Sequence, residues 1–193
     1  VATRLENGIG SAARWALRNE PNRFAASFSS QGWSLSPLPA ITPEGRARNE
    51  AGDASPWMWR YELTSIARGD AVTDVGTPVV SGSEETVTLD RSGGIREWYK
   101  NTRSGIEQGF EIPERPLTRG SGELIVRGAV ETSLSLLSTE RDSLTFGRSG
   151  EALVRYAELA VFDAKGLRLP SRISFEPRAA GGDLAIYIDD SNA

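Results

Sequence analysis

The chain has 193 residues, of which 38% are hydrophobic and 25% charged, so it can form a sizeable core and does not belong to the intrinsically disordered class. Its net charge is −4 at pH 7 and its 22 Lys and Arg residues are scattered along the sequence, which leaves no electrostatic footprint for nucleic acid or anionic lipid. It contains no cysteine and no histidine, which excludes disulfides, thiol nucleophiles and the commonest general base and transition-metal ligand.

Length and hydropathy favour one domain without a membrane-spanning segment. All-β domains routinely run to this length, and we expect residues 1–193 to form a single one. No apolar run is long enough to cross a membrane, and the first residue is Val1 rather than methionine. A signal peptide could therefore have been removed.

The N-terminal part predicts a short helix and then a β-hairpin. Between Gly10 and Asn19, Ser11 can cap a helix whose apolar residues recur at helical spacing. Residues Phe24 to Pro37 alternate aromatic or small apolar side chains with polar ones, and the break at Gln31 and Gly32 separates two strands.

A proline-rich segment and an aromatic strand follow. Residues 37–56 carry four prolines and little apolar periodicity, which predicts a flexible loop. The next residues, PWMWRYELTSIARGD, alternate so that Trp57, Trp59, Tyr61 and Leu63 share one face of a long strand.

The stretch GGIREWYKNTRSGIEQGFEIP predicts the second half of a hairpin. A short strand ends at Leu89 and is followed by a turn at 90–94 that is rich in polar residues and glycine. In the return strand, Glu97 and Tyr99 lie on one side, while Trp98 and Lys100 lie on the other.

The remaining strand candidates recur with a turn signal every 8 to 12 residues or so, which is typical of sandwiches. We predict an all-β, antiparallel β-sandwich of about a dozen short strands, with one short N-terminal helix. The later strands are 105–112, 122–137, 144–146, 153–162, 167–176 and 183–188.

Five aromatic residues are candidates for a contact surface. Flat aromatic rings give a large contact area at low entropic cost, either against a protein or against a sugar ring. Packing into a core is the alternative, and we expect it for about two thirds of such residues because aromatic side chains on β faces usually become buried. The candidates are Trp33, Trp57, Trp59, Trp98 and Tyr99.

Acidic residues provide weaker indications of catalysis or metal binding. Glu97, Glu107 and Glu111 resemble the carboxylate pairs of glycoside hydrolases, but cross-strand pairing with arginine is the commoner outcome on a sheet. Asp189 and Asp190, together with Asp163 or Asp183, are candidates for Ca²⁺ ligands, but their spacing fits no calcium-loop signature and a surface turn or strand end is the commoner outcome. We therefore predict no catalytic, metal or cofactor-binding residue.

The tripeptide Arg68-Gly69-Asp70, a sequence that some adhesion receptors bind, falls where a strand should turn. We interpret it as a β-turn.

Three segments resemble a known family. REWYKNTRSGIEQGFEIPERP, LTFGRSGEALVRYAELAVFDAKGLRLPSRISF and the terminal LAIYIDD resemble a β-rich domain near the N-terminus of large secreted bacterial proteins. Those proteins often continue into FG-GAP or integrin-α-like repeats. RNEPNRFAASFSSQGWSLSP and PWMWRYELTSIARG are also similar to that family, so the resemblance covers most of the chain. It implies an extracytoplasmic all-β module without an assigned catalytic activity.

The chain departs from the family pattern at several points. Ile106 replaces a leucine, Pro21 falls one place later than the family's proline, and the sequence given ends before the family's YPLxIDP strand. We expect either a piece of a longer protein or a stand-alone version in an assembly.

The expected function is a non-catalytic interaction module that binds other proteins of an extracytoplasmic or membrane-associated assembly. A carbohydrate-binding module that uses surface tryptophans is the alternative, and a glycosidase using Glu97 and Glu107 is the third hypothesis.

Overall fold

The computed structural model describes residues 2–5, 14–41, 47–48, 56–113 and 122–191. Within these residues the protein is all-β with antiparallel sheets, which confirms the predicted fold class. The strands, in chain order, are β1 (Thr3–Leu5), β2 (Arg14–Asn19), β3 (Phe24–Ser29), β4 (Gly32–Pro37), β5 (Ala40–Ile41), β6 (Ala47–Arg48), β7 (Trp59–Arg68), β8 (Ala71–Asp74), β9 (Val79–Ser83), β10 (Thr86–Asp90), β11 (Arg96–Thr102), β12 (Gly105–Glu111), β13 (Leu124–Thr132), β14 (Ser135–Thr139), β15 (Leu144–Arg148), β16 (Glu151–Tyr156), β17 (Val161–Phe162), β18 (Arg168–Leu169), β19 (Ser171–Arg178) and β20 (Gly181–Ile188).

The chain divides into two compact units. The first unit comprises Val1–Arg60 and Thr77–Glu111, and the second comprises Tyr61–Gly76 and Ile112–Ala193. Strand β7 begins in the first unit and continues in the second. The expectation of one domain over residues 1–193 stays a prediction, because two compact units can belong to a single domain.

The first unit has two layers of sheet. One layer contains β1, β2, β3 and β4 as neighbours in that order, which is part of a nine-stranded sheet, and the other layer is the four-stranded sheet β12-β11-β10-β9. Aromatic rings fill the space between them: the ring centroids of Phe28 and Tyr99 are 4.9 Å apart, and those of Trp33 and Tyr99 are 5.1 Å apart. The predicted hairpin over Phe24 to Pro37 is confirmed, with Phe28 opposite Trp33.

The predicted helix over Gly10 to Asn19 is wrong in its described part, which is strand β2. Its side chains alternate, since Leu17 and Asn19 are buried while Arg18 is exposed. This two-residue period places Leu17 in the core, and β3 supplies the hydrogen-bond partners of the backbone. Pairing in a sheet thus outweighs the weak helical spacing of the segment. Residues 10–13 lie outside the described part of the chain.

The segment 37–56, predicted as a flexible loop, lies mostly outside the described residues. Its described part includes the short strands β5 and β6, which pair with each other from Ala40 opposite Arg48 to Ile41 opposite Ala47.

The second unit also has a layered arrangement. One sheet contains β7, β13, β20 and β19 in that order, with β8 paired to β7, and a second sheet has the order β14-β15-β16. Leu144 and Leu184 are fully buried, and the rings of Phe146 and Phe175 meet edge to face with centroids 5.2 Å apart. Most of the buried hydrophobic residues of this unit are aliphatic, with Tyr61 and Phe146 as buried aromatic residues among them.

The tripeptide Arg68-Gly69-Asp70 lies at the predicted turn: Arg68 ends β7, and Gly69 and Asp70 connect it to β8. Arg68 is buried and forms two hydrogen bonds with the Asp190 carboxylate, at 2.7 and 2.6 Å, and a third with the carbonyl of Gly122, at 2.8 Å. The hydrogen bond to Asp190 raises the pKa of Arg68 above its ordinary value. The ion pair ties the end of β7 to the residues after β20.

Candidate functional site

One open surface of the first unit is the outward side of the sheet β12-β11-β10-β9. In β10 and β11, Val87, Leu89, Glu97 and Tyr99 are completely buried, so the alternate residues point away from the core. We call this surface the Trp98 face, and its members are Val79, Ser81, Thr88, Asp90, Arg96, Trp98, Lys100, Glu107, Gly109 and Glu111.

Trp98 lies at the centre of the Trp98 face. It is directly opposite Thr88 on one side and Gly109 on the other. A Cβ atom built on Gly109 would come within 2.1 Å of the indole ring, so the ring covers the glycine backbone and a larger residue there would require the ring to move. The indole is half-buried, and part of its surface remains open to solvent.

Charged side chains flank the indole on both sides. On one side, Arg96 donates to Asp90 at 2.7 Å and lies 3.7 Å from the carboxylate of Glu111. The hydrogen bond to Asp90 raises the pKa of the Arg96 guanidinium. On the other side, Lys100 lies opposite Glu107. The face therefore combines one large aromatic ring with a surrounding set of paired and exposed charges.

The opposite side of the same strands holds a buried polar cluster. Arg91 donates through Nε to the carboxylate of Glu97, and the hydroxyl of Tyr99 donates to Glu97 at 2.7 Å. Gln108 in turn donates to the Tyr99 hydroxyl at 3.1 Å. The side chain of Glu97 is completely buried, so its carboxylate is held by neighbours rather than by water.

The carboxylate pair considered for glycoside hydrolysis does not form. Glu97 lies opposite Phe110, whereas Glu107 lies opposite Lys100. Side chains opposite each other share a face, and alternate residues lie on opposite faces. Glu97 thus points into the core, while Glu107 and Glu111 point to solvent, and the two sets cannot share one cleft.

The five aromatic candidates divide between core and surface. Trp33, Trp59 and Tyr99 are buried in the first unit, where the rings of Trp33 and Trp59 are 5.4 Å apart. These three residues pack in the core, which was the alternative to a contact role, and they cannot contact a partner in this fold. Trp57 and Trp98 are half-buried, and these two retain the prediction of a contact role.

Asparagines join two turns of the first unit. The Asn19 side chain donates to Asn101 at 2.8 Å and to the carbonyl of Thr102 at 2.7 Å. Asn22 donates to Asn19 at 2.8 Å and to the carbonyl of Arg103 at 2.8 Å. The RNEPN and KNTRSG stretches are therefore in contact, and their asparagines hold the β2–β3 and β11–β12 turns together. Polar residues in both turns were the only sequence signal for this arrangement.

The acidic residues considered for calcium have separate local partners. Asp190 pairs with Arg68, and Asp183 pairs with Arg178. Asp163 accepts hydrogen bonds from the backbone N–H groups of Lys165 and Leu167 within its turn. In the described ranges, no three His, Cys, Asp or Glu side chains come together in a way that could hold a metal ion.

Comparison with known protein families, with curated proteins and with solved structures finds no match to this chain. Among the described residues, no helix is long and apolar enough to span a membrane.

Proposed function

We propose that the protein is a non-catalytic interaction module and that the Trp98 face is its contact surface. It acts as a peripheral subunit of an envelope or membrane-associated complex, or as part of a larger secreted protein. The extracytoplasmic location, reached with a signal peptide that is later removed, is supported by the resemblance of the EWY to EQGF run to a secreted β-rich domain.

The position of Trp98 is the observation that carries this proposal. Tryptophan and arginine dominate the binding energy of many protein interfaces, and they do so at the centre of a patch with a polar rim. Here the indole of Trp98 lies between Arg96 on one side and Lys100 on the other, on a face where Arg96 is 49% exposed. The arrangement matches the anatomy of a small interface.

The first experiment is purification of the native protein under mild conditions, with mass spectrometry of the proteins that remain bound. We expect partners at fixed stoichiometry. Binding to the purified partner is then measured for Trp98→Ala, which should weaken it at least about tenfold because the aromatic anchor is lost. The matched control is Phe162→Ala, since Phe162 is 59% exposed and belongs to the second unit. Unchanged affinity of Trp98→Ala would reject the Trp98 face as the contact surface.

Carbohydrate binding at the same face is the second candidate function. The Trp98 ring rests on Gly109, and a flat ring supported in this way offers a stacking surface to a sugar. Testing Trp98→Ala and Phe162→Ala on a glycan array distinguishes carbohydrate binding from protein binding at this face. Loss of glycan binding in Trp98→Ala, together with a native protein that purifies alone, would favour the sugar and reject the protein partner.

A further inference from the structure

A polar groove crosses the outward side of the sheet in the second unit. It encloses a volume of about 210 Å³. Six polar residues from four neighbouring strands line it: Thr64, Arg127, Ser174, Glu176, Asp183 and Tyr187. We call it the Ala185 groove, because Ala185 also lines it and is a small residue among larger neighbours.

The strand register explains why the groove is concave. Ala185 lies directly opposite Arg127 on one neighbouring strand and Ser174 on the other. Along β20, Tyr187 and Asp183 are the next outward residues on either side, each about 7 Å away. A small side chain surrounded by larger ones leaves a depression, and Ala185 is only 8% exposed.

Contacts with two neighbouring arginines hold two walls of the groove in place. The guanidinium of Arg172 lies over the Tyr187 ring, 3.7 Å from its centroid, and donates to Glu123 at 2.8 Å. On the opposite side, Arg178 pairs with Asp183. The aromatic wall and one carboxylate are thus oriented before any ligand arrives, which lowers the entropic cost of binding.

Two further charged side chains of the groove have no partner among the residues that the structure describes. Within the described part of the chain, the side chains of Arg127 and Glu176 make no ion pair or hydrogen bond with other residues. The groove therefore offers a guanidinium that donates hydrogen bonds, carboxylates that accept them, and hydroxyls that can donate and accept. Positive and negative groups are mixed around it, so a net charge on the ligand would meet repulsion from one of the walls.

We propose that the Ala185 groove binds a neutral saccharide unit. Sugar hydroxyls both donate and accept hydrogen bonds, which suits a lining with donors and acceptors on different walls. The apolar face of a sugar ring suits contact with the Tyr187 aromatic ring. The volume of about 210 Å³ is on the scale of one sugar ring rather than of a long glycan. This site is independent of the Trp98 face.

The test uses the full chain labelled with nitrogen-15 and three neutral probes: cellotetraose, maltotetraose and tetra-N-acetylchitotetraose. We expect at least one to shift the amide resonances around Ala185, with a dissociation constant on the order of 1 mM because the groove is small and open. Tyr187→Ala and Arg127→Met should each weaken that binding at least about tenfold.

Two controls make the result decisive. Trp98→Ala should bind the same probe with unchanged affinity, which separates this site from the Trp98 face. Circular dichroism and thermal unfolding should match the wild type for both groove variants, since Arg127 is exposed and Tyr187 is only half-buried. The proposal is overturned if none of the probes shifts these resonances at about 10 mM. It is also overturned if the shifts centre on Trp98, or if glutamate or inorganic phosphate binds the groove and the saccharides do not.

Discussion

The two units use the same packing device, on an outward face in the first unit and in the core of the second. In the first unit the Trp98 ring covers Gly109, and in the second unit the Tyr61 ring covers Gly128. A Cβ atom on either glycine would come within 2.1 Å of the ring. Tyr61 is completely buried, whereas Trp98 is half-buried on an outward face. The same pairing therefore builds a core in one unit and a surface anchor in the other, depending on whether a second layer covers that side.

A buried ion pair is found among the described residues of each unit, but the two pairs join residues at very different separations along the chain. Arg91 and Glu97 are six residues apart, whereas Arg68 and Asp190 are 122 residues apart. The first pair stabilises the connection between two neighbouring strands. The second joins the turn after β7 to the residues that follow β20. A local pair and a long-range pair thus occupy equivalent buried environments.

Intrinsic fluorescence can separate the two units in experiments. All five tryptophans, at positions 15, 33, 57, 59 and 98, belong to the first unit. Tryptophan fluorescence therefore reports unfolding of the first unit, while far-ultraviolet circular dichroism reports both. The following predictions, from the largest expected effect to the smallest, use this difference.

Breaking the local ion pair should have the largest effect. Glu97→Ala leaves Arg91 charged and buried without its carboxylate, and removing one partner of a buried pair costs about 3 to 5 kcal/mol. Urea unfolding followed by tryptophan fluorescence measures this loss. The control is Glu107→Ala, since Glu107 is exposed, and its effect should stay within about 0.5 kcal/mol. Equal effects of the two variants would contradict this account.

Breaking the long-range pair should cost slightly less. In Asp190→Ala, Arg68 keeps its hydrogen bond to the Gly122 carbonyl, so we expect a loss of about 3 kcal/mol, at the lower end of the range for buried pairs. Circular dichroism is the appropriate measurement because the second unit has no tryptophan. Asp189→Ala is the matched control on the neighbouring exposed residue. A variant as stable as the wild type would show that the pair does not hold this end of the chain.

Substitution of the two covered glycines tests the comparison directly. Gly128→Ala should destabilise the protein by about 2 kcal/mol, because the buried Tyr61 ring cannot move aside. Gly109→Ala should cost less than about 1 kcal/mol, since the Trp98 ring can rotate towards solvent. Thermal unfolding of both variants measures the difference. A larger loss of stability for Gly109→Ala than for Gly128→Ala would contradict the conclusion that Tyr61 is fixed in a core while Trp98 can move.

The smallest effect concerns the pH dependence of Asp189. Hydrogen bonds from the side chain and backbone of Ser191 lower the pKa of Asp189 below its ordinary value of 3.8. A lowered pKa stabilises the fold above pH 3.8, and this contribution disappears as the pH falls through the folded-state value. Titration of the Asp189 carboxyl by nuclear magnetic resonance should give a midpoint below 3.8. A midpoint at or above that value would exclude the Ser191 contacts in solution, and Asp189→Asn should remove the associated acid sensitivity.

Sequence patterns were sufficient for the strands that alternate strongly. The return strand from Arg96 to Thr102 and the hairpin of Phe24 to Pro37 appear where the two-residue period predicted them. The spacing of apolar residues in the segment ending at Asn19 predicts a helix, but it also fits the two-residue period of a strand. The pairing of β2 with β3 determines that the segment is a strand. Short ambiguous segments depend on tertiary partners more than on intrinsic propensity.

The candidate surface was only partly predictable. Trp98 was among the sequence candidates, but Gly109 beneath it follows from the strand register, which a single sequence does not specify. The Ala185 groove had no sequence signal, because its lining comes from strands β7, β13, β19 and β20.

By itself, the sequence determined the all-β class, the alternation of faces within most strands and the absence of cysteine and histidine chemistry, because these depend on composition and on contacts between near neighbours. Only the tertiary structure decided that Glu97 is buried and Glu107 exposed, that Tyr61 lies in a core while Trp98 remains half-open, and that Arg68 meets Asp190. These outcomes depend on which strands become neighbours and which faces are covered. Both are set by contacts between residues far apart in the chain.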